Sequence, residues 1–137
     1  MTNARILIVE DEAITVSALR RELASLGYEI AGTASTADEA LRAVESQKPD
    51  LVLMDITLAG GVNGVVAAVA IRGNFPVPVV FLTAHADDRT MDRAVSAGAF
   101  GYVLKPYSGV GLKAAIETAL HKHQTEMESR RAARPAG

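Results

Sequence analysis

Short apolar runs alternate with longer segments of helical spacing along almost the whole chain, and this alternation limits the fold more than any other feature. The runs are mostly β-branched or aromatic, which is typical of buried strands. Between them, apolar residues recur every three or four positions, as Val16, Leu19 and Leu23 do before Gly27. Such strands alternating with amphipathic helices are typical of a parallel sheet covered on both faces. The predicted strands lie at residues 6–9, 28–31, 51–54, 77–82 and 100–104, and the predicted helices near 16–26, 37–44, 62–69, 91–95 and 112–127.

The length of the chain suits one domain and a short tail. Its 137 residues are 49% apolar and 22% charged, which is ordinary for a globular domain. The absence of cysteine excludes a disulfide scaffold, and the net charge of -2 gives no general attraction to nucleic acid. No apolar stretch is long enough for a signal peptide or a membrane span. We therefore expect a cytoplasmic domain over residues 1–127 and a flexible tail over residues 128–137.

Polar residues with useful chemistry follow four of the five predicted strands. Glu10 and Asp11 come directly after the first strand, Asp55 after the third, Thr83 at the end of the fourth and Lys105 after the fifth. In an open parallel sheet, ligands bind outside the carboxyl ends of the strands, near the point where the strand order reverses. The second strand ends without an ionisable residue, which favours an edge position. The pattern therefore predicts the order 2-1-3-4-5, a flavodoxin-like α/β fold in three layers.

These five residues predict a site for a divalent cation and a phosphoryl group. Carboxylates that converge on one point repel each other, and a hard cation, Mg²⁺ first, would hold them together. Asp55 would then act as a nucleophile that forms an aspartyl phosphate. The ammonium of Lys105 and the hydroxyl of Thr83 would donate hydrogen bonds to the phosphoryl oxygens.

Each of these residues has an ordinary structural explanation when it is taken alone. Asp11 would be favoured in the first turn of a helix by the helix dipole. Thr83 would end a strand or cap a helix, and Lys105 would be a solvated surface lysine. Their joint placement at four strand ends favours the functional interpretation.

The motifs at these strand ends resemble those of the receiver domain of two-component response regulators. The resemblance extends over residues 5–126 and rests on ILIVEDE at 6–12, LVLMD at 51–55, VFLTA at 80–84 and GAFGYVLKP at 98–106. It implies that Asp55 is the phosphoacceptor, which receives phosphate from a sensor histidine kinase or a phosphotransfer protein. It also implies that the chain catalyses only its own phosphotransfer and dephosphorylation, and is not otherwise an enzyme.

The same resemblance implies a ligand set for Mg²⁺ or Mn²⁺. Asp11, Asp55 and the backbone carbonyl of Thr57 would bind the ion directly, and Glu10 would act through water. Glu10 departs from the family pattern, because aspartate is more frequent at this position. The longer side chain should lengthen the contact without abolishing it.

The resemblance further implies a switch and a surface for partners. Thr83 and Lys105 would contact the phosphate, the bond between Lys105 and Pro106 would be cis, and Thr83 and Tyr102 would form the switch pair. A downstream protein would bind the fourth helix, the fifth strand and the fifth helix. Direct contact with nucleic acid or membrane is not expected, and the long last helix leaves a homodimer open.

Two alternative functions stand beside that of a phosphoacceptor. A phosphatase with an aspartate nucleophile needs a second aspartate two residues after the first, where this chain has Thr57. A receiver-fold adaptor would act without phosphorylation, and Mg²⁺ binding with phosphodonor labelling would distinguish it.

Two further departures concern the surroundings of the site: the loop after Asp55 carries an extra glycine, and His85 lies where the family tunes dephosphorylation.

Overall fold

The structure is a computed structural model that describes residues 3–56, 64–83, 101–104 and 108–133. This part of the chain contains five strands and four helices, and the helix expected near residues 91–95 lies outside it. The elements are β1 (Arg5–Val9), α1 (Ala13–Ser25), β2 (Glu29–Ala34), α2 (Ala37–Gln47), β3 (Leu51–Asp55), α3 (Gly64–Asn74), β4 (Val79–Thr83), β5 (Gly101–Leu104) and α4 (Gly109–Ala133).

The five strands form one parallel sheet in the order β2-β1-β3-β4-β5, which confirms the predicted fold. From β1 the chain moves outward to β2, and it then crosses back to β3 on the other side of β1. The carboxyl ends of β1 and β3 therefore flank the point where the strand order reverses. This is the position at which open α/β sheets bind their ligands.

Helices cover both faces of the sheet and divide the core in two. One cluster joins the strands to α2 and α3 and includes Phe81 and Ile71. The other joins them to α1 and α4 and includes Leu53 and Ile116. Successive residues of a strand point to opposite faces, and helices cover both faces of this sheet. The residues of β3 and β4 are therefore apolar almost throughout, and nearly all of their side chains are fully buried.

Individual residues end α1 before β2 and begin α2 after it. Gly27 has a φ of 93° and ends α1, as the sequence predicts. The Thr36 hydroxyl accepts a hydrogen bond from the Glu39 amide at 3.2 Å, and the Glu39 carboxylate accepts one from the Ser35 amide at 2.8 Å. This reciprocal cap begins α2, and the Ser35 amide lowers the pKa of Glu39.

The last helix is longer than the sequence predicts, whereas the domain boundary after residue 127 stays a prediction. α4 continues to Ala133, so the segment expected to be a tail is helical over its first residues. Arg130 donates to the Glu126 carboxylate at 2.7 Å across one helical turn, and Arg72 of α3 lies 3.7 Å from the same carboxylate. These contacts, with helix-favouring alanine and arginine, sustain the helix where the apolar period has ended. Residues 134–137 lie outside the described part.

None of the described helices combines the length and the apolar character that a membrane span requires.

His123 lies on α4 beside the end of α3, and its surroundings predict a pH-dependent stability. Burial, and then the Arg72 guanidinium, lower the pKa of His123 below its usual 6.5, while Glu126 opposes this shift. The folded protein therefore resists protonation, and stability should fall as the pH drops through about 6.5, the value expected in the unfolded chain. Between about pH 7 and about pH 5, the free energy of unfolding measured with urea should fall more in the wild type than in His123→Gln.

A second histidine on the same helix supplies the control for this prediction. His121 is exposed, so His121→Gln should keep the pH dependence of the wild type. Identical pH profiles for the wild type and His123→Gln would show that the half-buried imidazole of His123 contributes nothing to the pH dependence.

Candidate functional site

Three carboxylates meet at the carboxyl end of the sheet. Glu10, Asp11 and Asp55 each offer an oxygen, and these oxygens all lie within 4.8 Å of one another. Glu10 is buried, with 2% of its surface exposed, whereas Asp55 is half-buried and Asp11 is exposed. The cluster therefore reaches from the interior to solvent, and small ions have access to it.

The strand pairing explains why these residues meet. Asp55 is the last residue of β3, and Glu10 follows directly after the neighbouring strand β1, whose Val9 is paired with Met54. The Glu10 amide donates to the Ala34 carbonyl at 2.9 Å, and its Oε1 atom accepts from the Glu12 amide at 3.2 Å. These two bonds fix the turn from β1 into α1 on which Asp11 stands.

The donor set fits a hard divalent cation. Two carboxylates at this separation repel each other by roughly 1–4 kcal/mol, depending on the local dielectric constant. Three carboxylates brought together on a partly buried surface therefore favour a cation between them. Oxygen ligands of this kind suit Mg²⁺ or Mn²⁺ rather than softer metals.

Thr83 and Tyr102 lie on the two strands beyond Asp55. Thr83 ends β4 and is buried, with 4% of its surface exposed, whereas Tyr102 on β5 is 48% exposed. Phe81 is paired with Tyr102 and Thr83 with Leu104, so alternation along the strands places the Thr83 and Tyr102 side chains on the same face of the sheet. The buried Thr83 side chain and the exposed Tyr102 side chain thus lie on one face of two neighbouring strands.

Four residues assigned from the sequence lie outside the described part of the chain. They are Thr57, His85, Lys105 and Pro106. The metal-binding carbonyl, the phosphate-contacting ammonium and the cis peptide bond therefore stay predictions.

The structure points to one further residue that sequence reasoning missed. Gly64, the first residue of α3, donates its amide hydrogen to the carbonyl of Ile56, the residue directly after β3. The signal in the sequence was the glycine-rich loop that follows Asp55. That composition did not show which glycine is packed against the strand end.

Comparison with known proteins gives one consistent result. The family model described as "Response regulator receiver domain" matches residues 6–117. The chain is 41% identical over 118 residues to the transcriptional regulatory protein PdtaR of Mycobacterium tuberculosis, covering 86% of this chain and 57% of that protein. It is 35% identical over 129 residues to the transcriptional regulatory protein YvrH of Bacillus subtilis, covering 94% of this chain and 54% of that protein. The chain thus spans little more than half the length of these curated relatives.

Solved structures agree with the sequence comparisons. The signal receiver domain of a modulated diguanylate cyclase from Desulfovibrio desulfuricans G20 matches with a TM-score of 0.84 and 36% identity, over 91% of this chain and 99% of that one. The receiver domain of the response regulator PhyR from Erythrobacter litoralis matches with a TM-score of 0.74 and 38% identity, over 88% and 92%. The sheet order, the acidic cluster and these matches agree, and the chain belongs to the receiver domain family of two-component response regulators.

Proposed function

We propose that the chain is a phosphoacceptor in a two-component phosphorelay and that Asp55 carries the phosphoryl group. The observation that supports this most strongly is the convergence of Glu10, Asp11 and Asp55 within 4.8 Å at the switch point of the sheet. Asp55 is half-buried, so a donor can approach it from solvent. The donor is a phosphohistidine of a sensor kinase or of a phosphotransfer protein.

The transfer needs no general base, because the nucleophile is an ionised carboxylate. A carboxylate oxygen of Asp55 forms a bond to phosphorus, the bond from phosphorus to the histidine nitrogen breaks, and the electron pair stays on the imidazole. Bound Mg²⁺ would supply positive charge to the phosphoryl oxygens as they approach the carboxylates. Asp11, Asp55 and the Thr57 carbonyl would hold the ion, with Glu10 acting through water.

The same site provides the switch that follows phosphorylation. Thr83 would donate its hydroxyl hydrogen bond to the phosphoryl group, and Lys105 would contribute its ammonium. Moving an equilibrium from 1:99 to 99:1 requires about 5.5 kcal/mol, whereas one charge-assisted hydrogen bond contributes roughly 1.5–3 kcal/mol. Several contacts must therefore act together, and the edge strand with Tyr102 would present the result to a downstream protein.

Labelling with a small phosphodonor tests the proposal. The protein is incubated with acetyl phosphate and Mg²⁺, and its intact mass is measured before and after hydroxylamine treatment. We expect a gain of one phosphoryl group that hydroxylamine removes. Unlabelled protein would favour the adaptor, and steady turnover of a phosphomonoester would favour the phosphatase.

Replacing Thr83 with alanine should separate phosphorylation from switching. We expect Thr83→Ala to keep the labelling of Asp55. The equilibrium constant for the switched state should fall by roughly tenfold or more, which corresponds to the loss of one charge-assisted hydrogen bond. The shift of the Tyr102 ring resonances on addition of beryllofluoride, a phosphoryl mimic, measures that equilibrium. Thr33→Ala is the matched control, since Thr33 is an exposed threonine at the end of β2. A full Tyr102 response in Thr83→Ala would contradict the assignment of Thr83.

A further inference from the structure

Gly64 packs directly on the backbone of the phosphoacceptor. A Cβ atom built on Gly64 would overlap the carbonyl oxygen of Asp55 and would lie 3.0 Å from both the Cα and the carbonyl oxygen of Ile56. Cβ atoms in proteins do not approach a backbone oxygen so closely, because the repulsion rises steeply at these separations. Only glycine allows α3 to begin where it does.

The conformation of the backbone does not explain this glycine. Within the described residues, Gly27 is the only glycine with a positive φ, so the backbone of Gly64 does not need the conformational freedom of glycine. Apart from its chain neighbours and the backbone of its own helix, no heavy atom lies within 4 Å of a Cβ added to Gly73, which is in the same helix. The special feature of Gly64 is therefore the closeness of the Asp55 and Ile56 backbone.

Neither side of this contact has space to move away. On one side, Asp55 is paired with Leu82 in the sheet, and the Ile56 amide donates to the Leu82 carbonyl at 3.2 Å. On the other side, α3 is anchored by Ala68 and Ile71, which are both fully buried in the core. A side chain at Gly64 would therefore displace the end of β3 or the first turn of α3.

We infer that Gly64 is a positioning residue for Asp55: its bare Cα lets α3 support the carbonyl of Asp55, and this contact sets where the carboxylate stands relative to Glu10 and Asp11. The inference rests on the proposed role of Asp55 as phosphoacceptor and metal ligand. It concerns the placement of that carboxylate and assigns Gly64 no contact with phosphate or metal.

The test compares two glycine-to-alanine variants of one helix. Gly64→Ala should weaken Mg²⁺ binding, measured by calorimetry, and slow labelling by acetyl phosphate, each by about tenfold or more, because small misplacements of a reacting group are costly. Gly73→Ala should change both by less than about twofold, since its methyl group enters open space. Equal values for Gly64→Ala and the wild type would overturn the inference.

A double-mutant cycle separates positioning from a general structural defect. In the Asp55→Ala background, adding Gly64→Ala should cause no further loss of Mg²⁺ affinity, because the carboxylate through which Gly64 acts is gone. A loss as large as in the wild-type background would show that Gly64 does not act through Asp55. An unlabelled wild type that also binds no Mg²⁺ would instead defeat the proposed function, so the two failures are distinguishable.

A measurement on the wild type covers the case in which Gly64→Ala does not fold. The amide resonance of Gly64 should move on addition of Mg²⁺, whereas that of Gly73, at the far end of α3, should stay in place. A Gly64 amide that does not respond while the Glu10 and Asp11 amides do would overturn the inference.

Discussion

We expect phosphate incorporation to disappear when Asp55 is replaced by asparagine. The amide keeps the size and shape of the carboxylate but has no ionised oxygen to attack phosphorus. We expect Asp55→Asn to gain no hydroxylamine-sensitive phosphoryl group from acetyl phosphate and Mg²⁺, while its circular dichroism spectrum stays that of the wild type. Intact-mass analysis measures the effect directly.

Asp50→Asn is the matched control for this change. Asp50 lies just before the amino end of β3, where its carboxylate accepts a hydrogen bond from the Arg5 amide at 2.8 Å. It is thus separated from the acidic cluster by the length of the strand, and we expect labelling at the wild-type rate. Wild-type labelling of Asp55→Asn would move the phosphoacceptor to another residue.

Replacing Asp11 with asparagine should weaken Mg²⁺ binding by about a hundredfold. Losing even an indirect partner of a metal ligand typically costs 10–100-fold in affinity, and a direct ligand lies at or beyond the upper end of that range. The metal-free protein should become slightly more stable, because one of three mutually repelling charges is removed. Calorimetric titration with Mg²⁺ and urea unfolding in EDTA measure the two effects, which have opposite signs.

The neighbouring acid provides the control for Asp11. Glu12 is exposed, belongs to no acidic cluster found among the described residues, and uses its backbone amide, not its side chain, to contact Glu10. Glu12→Gln removes the same charge one residue away and should leave Mg²⁺ affinity within about threefold of the wild type, as expected for a screened surface charge. Equal losses in the two variants would indicate a general electrostatic effect and not a ligand at Asp11.

The sequence alone was sufficient to predict the sheet and the convergence of the carboxylates. Runs that are apolar on both faces predict central parallel strands, and acids placed directly after such runs must emerge at the same edge. The positions of Glu10 and Asp55 follow from this alone, because β1 and β3 are neighbours. These are local patterns whose consequences depend only on the strand order.

The features that were missed depend on tertiary contacts. The extra turns of α4 are supported by Glu126, which pairs with Arg130 in its own helix and with Arg72 in another. No apolar period marks such a segment, so the helix predicted from the apolar periodicity ends too early. The role proposed for Gly64 depends on how closely the first residue of α3 approaches the end of β3, which the spacing of glycines in the sequence does not determine.

The placement of the strands also distributes motion unequally across the molecule. β3 has a hydrogen-bonded neighbour on each side and a covered surface above and below, so we expect its backbone hydrogen bonds to open only when most of the domain unfolds. β5, which carries Tyr102, is an edge strand with one neighbour, and it is free to fluctuate at much lower energy. The proposed chemistry thus lies on an interior strand of the sheet, and its proposed readout lies on an edge strand. Amide exchange should accordingly be governed by global unfolding at β3 and by local opening at β5.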